Sequence, residues 1–224
     1  MDRLHRTRLL FGETGVDKLR ASTVMVVGCG AVGSFAVEAL ARTGIGHIIV
    51  VDFDNIDPTN INRQLFALDS TVGTPKVDIA CARIHDINPD TRVTAYNIRW
   101  DGATDVDVRP DFVIDAIDDV PAKVALYKWC TKHNIPFISS MGAALKMDVT
   151  QVHIARLSQT CVCPLAARVR RAVRDMDLPD FPVVFSSEPP APVVGHAKNM
   201  GSNITVTGIF GLVAANYVIK NLVL

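Results

Sequence analysis

The sequence predicts an α/β protein with a Rossmann-like, doubly wound sheet, parallel in its first half, with a looser C-terminal extension that ends in a buried helix. Three observations support this prediction. Short apolar runs alternate with helical patterns between residues 23 and 140. The first run meets the spacing Gly28-x-Gly30-x-x-Gly33, which is typical of a strand, a tight turn and a helix start. Beyond residue 145 this alternation becomes irregular.

Length and composition favour one domain over residues 1–224, with a nucleotide-binding core at 23–140 and a substrate-side extension at 145–224. Twenty-three basic and 23 acidic side chains cancel, so any RNA contact must come from a local patch. Five cysteines without the spacing of a disulfide framework suit a reducing cytosol. Because the N-terminus lacks the apolar core of a signal peptide, we expect a cytoplasmic protein.

The elements follow from the apolar patterns and the residues that interrupt them. Apolar runs bounded by turn residues predict strands, and amphipathic patterns predict helices; the helix at 31–43 is ended by Gly44. The predicted strands are 23–28, 47–52, 91–98, one beginning at 111, 136–140, 149–157 and 181–185. The predicted helices are short pieces within 4–20, then 31–43, an irregular helix at 60–68, 75–87, 121–134, 164–176 and 204–224.

A carboxylate at the end of the second strand points to a nucleotide. Asp52 lies about 20 residues beyond the glycine turn, where it can hold ribose hydroxyls, and on that pattern alone a dinucleotide is favoured. Arg63 and Lys76 follow soon afterwards, and a nicotinamide site has no obvious use for them. A triphosphate does, because its charged tail needs cationic partners.

The longer motif series resembles the ubiquitin-activating-enzyme-like adenylating family, which contains the MoeB, ThiF and HesA proteins. The resemblance is carried by Gly28-x-Gly30-x-x-Gly33, Asp52-Phe53-Asp54, Asn60-x-Asn62-Arg63-Gln64 and Gly73-x-Pro75-Lys76. It implies that ATP is bound with Mg²⁺ and that a substrate carboxylate is adenylated. The implied ATP-binding residues are Gly28, Gly30, Ala31, Gly33, Asp52, Asp54, Asn60, Asn62, Arg63, Gln64, Lys76 and Asp118.

Four residues are the candidates for catalysis. The resemblance implies that Arg63 and Lys76 hold the phosphates, that Asp118 supports Mg²⁺, and that Arg6 assists from the same or a neighbouring chain. Each has an ordinary alternative, because exposed basic residues usually form a solvated surface. Asp118 could equally cap the next helix, and we expect Asp115 to be structural.

The cysteines and the C-terminal half indicate a branch of this family. Zinc-bearing relatives use two Cys-x-x-Cys pairs, whereas this chain has only Cys161-Val162-Cys163, so no structural zinc is expected. The chain is most similar to the dehydratase branch, which implies adenylation of the threonylcarbamoyladenosine carboxylate on tRNA, then cyclisation with loss of water. The alternative is adenylation of the C-terminus of a ubiquitin-like sulfur carrier protein. A nucleotide-binding scaffold without turnover and a nicotinamide oxidoreductase remain as weaker alternatives.

Other expectations concern partners. Relatives imply a homodimer, and a sulfur-mobilising protein is a possible partner. Four arginines at 168, 170, 171 and 174, with Lys198 in the following loop, are either a solvated surface or contacts to tRNA phosphates. The proline-rich segment 186–203 is a long loop that could cover a substrate. Polar residues interrupt 204–224, so a buried helix is favoured over a membrane span.

Overall fold

The computed structural model describes residues 2–104, 106–192 and 200–224. The helices are α1 (His5–Ala21), α2 (Gly33–Thr43), α3 (Lys76–Ile87), α4 (Val120–Lys132), α5 (Pro164–Val173) and α6 (Ile204–Val223). The strands are β1 (Thr23–Val27), β2 (His47–Val51), β3 (Arg92–Tyr96), β4 (Phe112–Asp115), β5 (Phe137–Ser140), β6 (Val152–Arg156) and β7 (Pro182–Ser186).

The seven strands form one sheet in the order β3-β2-β1-β4-β5-β7-β6. All neighbouring strands are parallel except β6 and β7, which pair antiparallel. β2 and β4 lie on opposite sides of β1, so the order of the strands reverses at that point. Ligands of such sheets bind beyond the carboxyl ends of the strands at this reversal. The predicted fold class is therefore confirmed.

Helices cover both faces of the sheet. Alternate residues of β1 face opposite layers: Val24 and Val26 belong to the core beneath α2, α3 and α6, and Met25 and Val27 belong to the core beneath α4 and α5. Strands buried on both faces read as continuous apolar runs, which is why β1 and β2 were recognisable in the sequence.

The C-terminal helix packs inside the protein, as predicted. α6 is long and apolar enough to cross a membrane, but half of that apolar window is buried within the fold. A Cβ on Gly211 would lie 2.2 Å from the carbonyl oxygen of Val32, so a side chain there would separate α6 from α2. A Cβ on Gly208 would lie 3.1 Å from the ring of Phe35, which is a less severe approach.

Three segments differ from the sequence predictions. In place of a helix at 60–68, a 3₁₀ turn at Pro58–Asn60 is closed by reciprocal hydrogen bonds between Asp57 and Asn60, and irregular turns follow. The strand predicted at 149–157 starts at Val152, because Asp148 caps a 3₁₀ turn before it. α5 ends at Val173 instead of residue 176. The loop predicted at 186–203 is described only in part, and Lys198 lies outside the described residues.

Candidate active site

The glycine turn brings the start of α2 against the end of β1. Gly28 has φ +95, and a Cβ there would lie 2.7 Å from the carbonyl oxygen of Ala116. A Cβ on Gly33 would lie 1.7 Å from the carbonyl oxygen of Gly28, so the turn cannot close with a larger residue. Among the described residues no side chain caps α2, and its first turn contains no acidic residue. Its backbone N–H groups, with those of Gly30 and Ala31 before it, can therefore face an anion.

Asp52 links the glycine turn to the end of β2. Its carboxylate is 8% exposed, and Oδ2 accepts the backbone N–H of Cys29 at 2.6 Å. Oδ1 accepts the N–H of Asp54 at 2.8 Å. Because both oxygens are held by backbone donors, the carboxylate has a fixed orientation beside the turn. Each oxygen retains a lone pair that a ribose hydroxyl can use.

A lysine–aspartate ion pair lies next to this carboxylate. Lys76 begins α3, and its Nζ donates to Oδ2 of Asp54 at 2.7 Å. The lysine side chain is only 6% exposed, whereas that of Asp54 is 47% exposed. The backbone N–H of Lys76 also donates to the carbonyl oxygen of Asp54 at 3.0 Å, which fixes the start of α3 against the end of β2.

The segment from Asn60 to Gln64 places one side chain against the glycine turn. Nε2 of Gln64 is 3.8 Å from the position that a Cβ on Gly30 would take. The residue is 8% exposed, and in the described part of the chain its Oε1 has no hydrogen-bond partner. Such a buried, unpaired oxygen is costly unless a ligand or water satisfies it.

The other polar residues of this segment make contacts within the protein. Oδ1 of Asn60 accepts the N–H of Asp57. Arg63 donates to the carbonyl oxygen of Thr59 at 2.7 Å and to Oδ1 of Asn62 at 2.8 Å. Nδ2 of Asn62 donates to the carbonyl oxygen of Ser202 at 3.3 Å. Arg63 is partly exposed, so it can exchange these neutral acceptors for a phosphate.

Sequence reasoning missed the residue that holds this segment in place. Ser34 is fully buried in the first turn of α2, and its hydroxyl accepts the N–H of Leu65 at 3.2 Å. A serine after a glycine turn carries no sequence pattern that identifies such a contact.

Beyond β4, two neighbouring carboxylates have different environments. Asp119 caps α4 by accepting the N–H of Ala122 at 3.1 Å and lies 3.6 Å from a guanidinium nitrogen of Arg99. Asp118 is exposed. The cap is therefore Asp119, and Asp118 keeps its oxygens at the carboxyl edge of the sheet, next to the glycine turn.

Asp115 is structural, as expected. It is fully buried and accepts hydrogen bonds from Lys123 at 2.8 Å, from Tyr127 at 2.9 Å and from Ser139 at 2.6 Å. Its Oδ1 accepts the N–H of Ile117 at 3.0 Å, which shapes the turn that leads to Asp118. The sequence predicted the aspartate but not its partners.

Arg6 lies away from the glycine turn of its own chain. Two residues earlier, Leu4 packs on Gly44, which ends α2 at the opposite edge of the sheet. Arg3 donates to the carbonyl oxygen of Ile87 at 2.7 Å, at the far end of α3. Arg6 itself is exposed.

The thiols differ in accessibility. Burial raises the pKa of Cys29 well above its usual value, and the neighbouring Asp52 carboxylate raises it further. Burial also raises the pKa of Cys81 and Cys130. Cys161 is the exposed thiol among the five. Within the described residues, no three His, Cys, Asp or Glu side chains form a group that could hold a metal ion.

Together these residues form a site suited to a nucleotide. A rigid carboxylate, an uncapped helix start, a lysine paired with a half-exposed aspartate and an exposed carboxylate meet beyond the carboxyl ends of β1, β2 and β4. The pattern provides hydrogen bonds for a ribose and positive charge for phosphates, with one oxygen ligand for a hard cation.

Comparisons with known proteins agree with this geometry. The model of the ThiF family matches residues 4–223. The tRNA threonylcarbamoyladenosine dehydratase of Bacillus subtilis is 43% identical over 236 residues, covering 97% of this chain and 93% of the relative. The Escherichia coli protein of that name is 40% identical over 185 residues, covering 81% and 68%. The crystal structure of E. coli tRNA N6-threonylcarbamoyladenosine dehydratase, TcdA, in complex with ATP superposes with a TM-score of 0.91 at 35% identity, covering 98% of this chain and 93% of that one. With its family model matched almost from end to end, the chain belongs to the ThiF family.

Proposed function

We propose that this protein is an ATP-dependent tRNA threonylcarbamoyladenosine dehydratase. It adenylates the carboxylate of threonylcarbamoyladenosine on tRNA, and the activated side chain then cyclises with net loss of water. The observation that carries the proposal is Lys76, whose ammonium group makes a single hydrogen bond within the described residues, to the half-exposed Asp54. It belongs to a chain 43% identical to a dehydratase over nearly its whole length.

In the first step, a carboxylate oxygen of the substrate attacks the α-phosphorus of ATP, and pyrophosphate leaves. The protein's task is to position the reactants and to neutralise charge. Gly28, Gly30, Ala31 and Gly33 shape the phosphate turn, and Asp52 binds the ribose. Lys76 and Arg63 hold the phosphates by exchanging their present acceptors for phosphate oxygens. Asp54, Asn60, Asn62 and Gln64 complete the binding surface.

In the second step, a nitrogen of the same side chain attacks the activated carbonyl carbon. The carbon–oxygen bond to the adenylate breaks, AMP leaves with that oxygen, and the nitrogen loses its proton. The oxygen leaves in AMP, so the substrate loses the elements of water overall. Because the nucleophile belongs to the substrate, no enzyme thiol is required.

Asp118 fits a role in holding Mg²⁺. Mg²⁺ is usually bound by one or two carboxylates together with substrate phosphates, so a single exposed carboxylate beside the phosphate turn is sufficient. When bound, the ion would neutralise charge on the triphosphate.

We also propose that the protein acts in the cytoplasm as a homodimer. Arg6 is exposed, and nearby Leu4 packs on Gly44 at the end of α2 opposite the glycine turn, which supports assistance from a second chain. A sulfur-mobilising protein remains a possible further partner.

One experiment separates the proposal from its alternative. The protein is incubated with ATP and either threonylcarbamoyladenosine-containing tRNA or a ubiquitin-like sulfur carrier, and pyrophosphate release is measured. We expect release with the modified tRNA together with formation of the cyclic product. Release with the carrier alone would overturn the proposal in favour of protein adenylation.

A further inference from the structure

Helix α5 carries three arginines on one exposed face. Arg168, Arg171 and Arg174 are spaced by three residues, which places their side chains on the same side of a helix. All three are exposed, and Arg174 keeps helical φ and ψ at the end of α5. We call these three residues the arginine stripe.

The fourth arginine of the helix has a different role. Arg170 is partly buried and donates to the carbonyl oxygen of Thr160 at 3.0 Å and to the hydroxyl of that residue. It holds the chain segment before α5 against the helix. The helix therefore separates one structural arginine from three that face solvent, a distinction that the sequence does not show.

The arginine stripe is not neutralised by the protein. Helix α5 contains no Asp or Glu, and within the described ranges none of the three arginines has a carboxylate within 4 Å. Asp175 and Asp177 follow the helix without pairing with it. By contrast, Arg42 and Arg83 both pair with Glu38. Like charges three residues apart on a helix repel each other, so an anionic partner would relieve this repulsion.

The helix that carries the stripe begins at the same edge of the sheet as the candidate active site. Cys163, immediately before α5, has its Sγ 3.4 Å from the position that a Cβ on Gly142 would take. Gly142 follows the carboxyl end of β5, at the edge of the sheet where the nucleotide site lies. Six residues separate Arg168 from Arg174, which is about 9 Å along a helix. Several phosphates of a nucleic-acid helix fall within that length.

We propose that the arginine stripe binds the phosphate backbone of the substrate tRNA. This inference rests on the proposed function, because it concerns the same substrate. A tRNA whose modified nucleotide enters the site extends beyond the sheet edge, and the stripe lies where the adjoining backbone can contact it. Guanidinium groups bind phosphate oxygens in pairs without reading sequence, so the contacts provide affinity and orientation but no chemistry.

The test replaces the stripe with neutral residues of similar length, as Arg168→Gln, Arg171→Gln and Arg174→Gln together. The matched control removes three exposed cations elsewhere, as Arg20→Gln, Arg92→Gln and Lys220→Gln. Both variants change the net charge equally. Binding of unmodified tRNA is measured between 50 and 200 mM salt, so that this readout does not require the reaction.

We expect the slope of log affinity against log salt to become shallower by about 2–3 in the stripe variant. Each phosphate contact that is lost reduces the magnitude of this slope by about 0.7–0.9. The control should retain the wild-type slope. With modified tRNA, the KM for tRNA should rise about tenfold or more while kcat and the KM for ATP stay near wild type. The single variant Arg170→Gln should leave the salt dependence of tRNA binding unchanged.

Equal slopes in the stripe variant and the control would overturn the inference. So would a stripe variant that retains tRNA binding but loses binding of an acidic sulfur carrier, since the stripe would then be a protein-docking surface. If wild-type protein binds tRNA through the stripe but releases no pyrophosphate with modified tRNA, the proposed function fails and the RNA-binding surface stands.

Discussion

Two lysine–aspartate pairs lie at the carboxyl edge of the sheet, and they differ in the exposure of the aspartate and in the number of hydrogen bonds that the lysine makes. Lys123 and Asp115 are 2.8 Å apart with both side chains fully buried. Lys76 and Asp54 are 2.7 Å apart, with an aspartate side chain that is 47% exposed. We call the first the closed pair and the second the open pair.

The closed pair has no bonding capacity left for a ligand. Lys123 donates to Asp115, to the hydroxyl of Ser139 at 3.2 Å and to the carbonyl oxygen of Ser140 at 2.8 Å, which uses its three protons. In the open pair, the ammonium group makes a single hydrogen bond within the described part of the chain. Spare donors and solvent access, more than charge, therefore distinguish a ligand site from a structural ion pair.

Breaking the closed pair should have the largest effect on stability. Replacing Lys123 by Met leaves the Asp115 carboxylate buried without its cation, so we expect the free energy of unfolding to fall by about 3–5 kcal/mol. Urea unfolding followed by circular dichroism measures this change. The control is the double variant Asp115→Asn with Lys123→Met, which removes both charges and should recover part of the loss. A single variant as stable as wild type would contradict the assignment.

Breaking the open pair should affect catalysis instead. For Lys76→Ala we expect ATP–pyrophosphate exchange to fall by about 10²–10³-fold, the loss typical when a group that stabilises transition-state charge is removed. The unfolding free energy should change less than in Lys123→Met, because Asp54 remains hydrated. Lys132→Ala, at the exposed end of α4, serves as the control. Exchange at the wild-type rate would exclude Lys76 from the phosphate site.

Replacing Gln64 should weaken the binding of ATP without lowering the stability of the protein. Its buried Oε1 has no partner in the described structure, so Gln64→Met should leave the unfolding free energy of the ligand-free protein unchanged or slightly higher. If ATP supplies the missing hydrogen bond, the dissociation constant for ATP should rise about 5–30-fold, equivalent to about 1–2 kcal/mol. Calorimetric titration measures the change in the dissociation constant for ATP, and thermal unfolding measures the change in stability. A variant that is destabilised but binds ATP normally would assign Gln64 to the fold.

The smallest expected effects concern the thiols. Because burial and Asp52 raise the pKa of Cys29, its thiol stays protonated near neutral pH and cannot act as a nucleophile. Cys161 is exposed but is not needed for the proposed cyclisation. Cys29→Ala and Cys161→Ser should each retain dehydration rates within about twofold of wild type. A large loss in Cys161→Ser would favour a thiol step, and with it the sulfur-carrier alternative.

Much of the fold was predictable because its patterns are local. The helix that ends at Gly44 stops there because the residue adopts φ +98. The predicted bounds were wrong where an aspartate side chain accepts a backbone N–H two residues further along the chain, as Asp57 and Asp148 do. Such local hydrogen bonds favour a 3₁₀ turn over the element that the apolar pattern predicts. The site residues stay predictions, but the structure places Asp52, Asp54, Gln64, Lys76 and Asp118 around one glycine turn.

The sequence by itself determined the strand–turn–helix unit, the order of the elements and the family, because spacing along the chain encodes each of them. Only the tertiary structure decided which charges are available. Lys76 and Lys123 occupy similar positions, one at the start of α3 and the other in the first turn of α4. Lys123 is saturated because β4, β5 and α4 converge on it. Lys76 is also buried, but within the described residues its ammonium group bonds only Asp54, so it retains donors for a ligand. Convergence in space depends on contacts between distant residues, which no local pattern records.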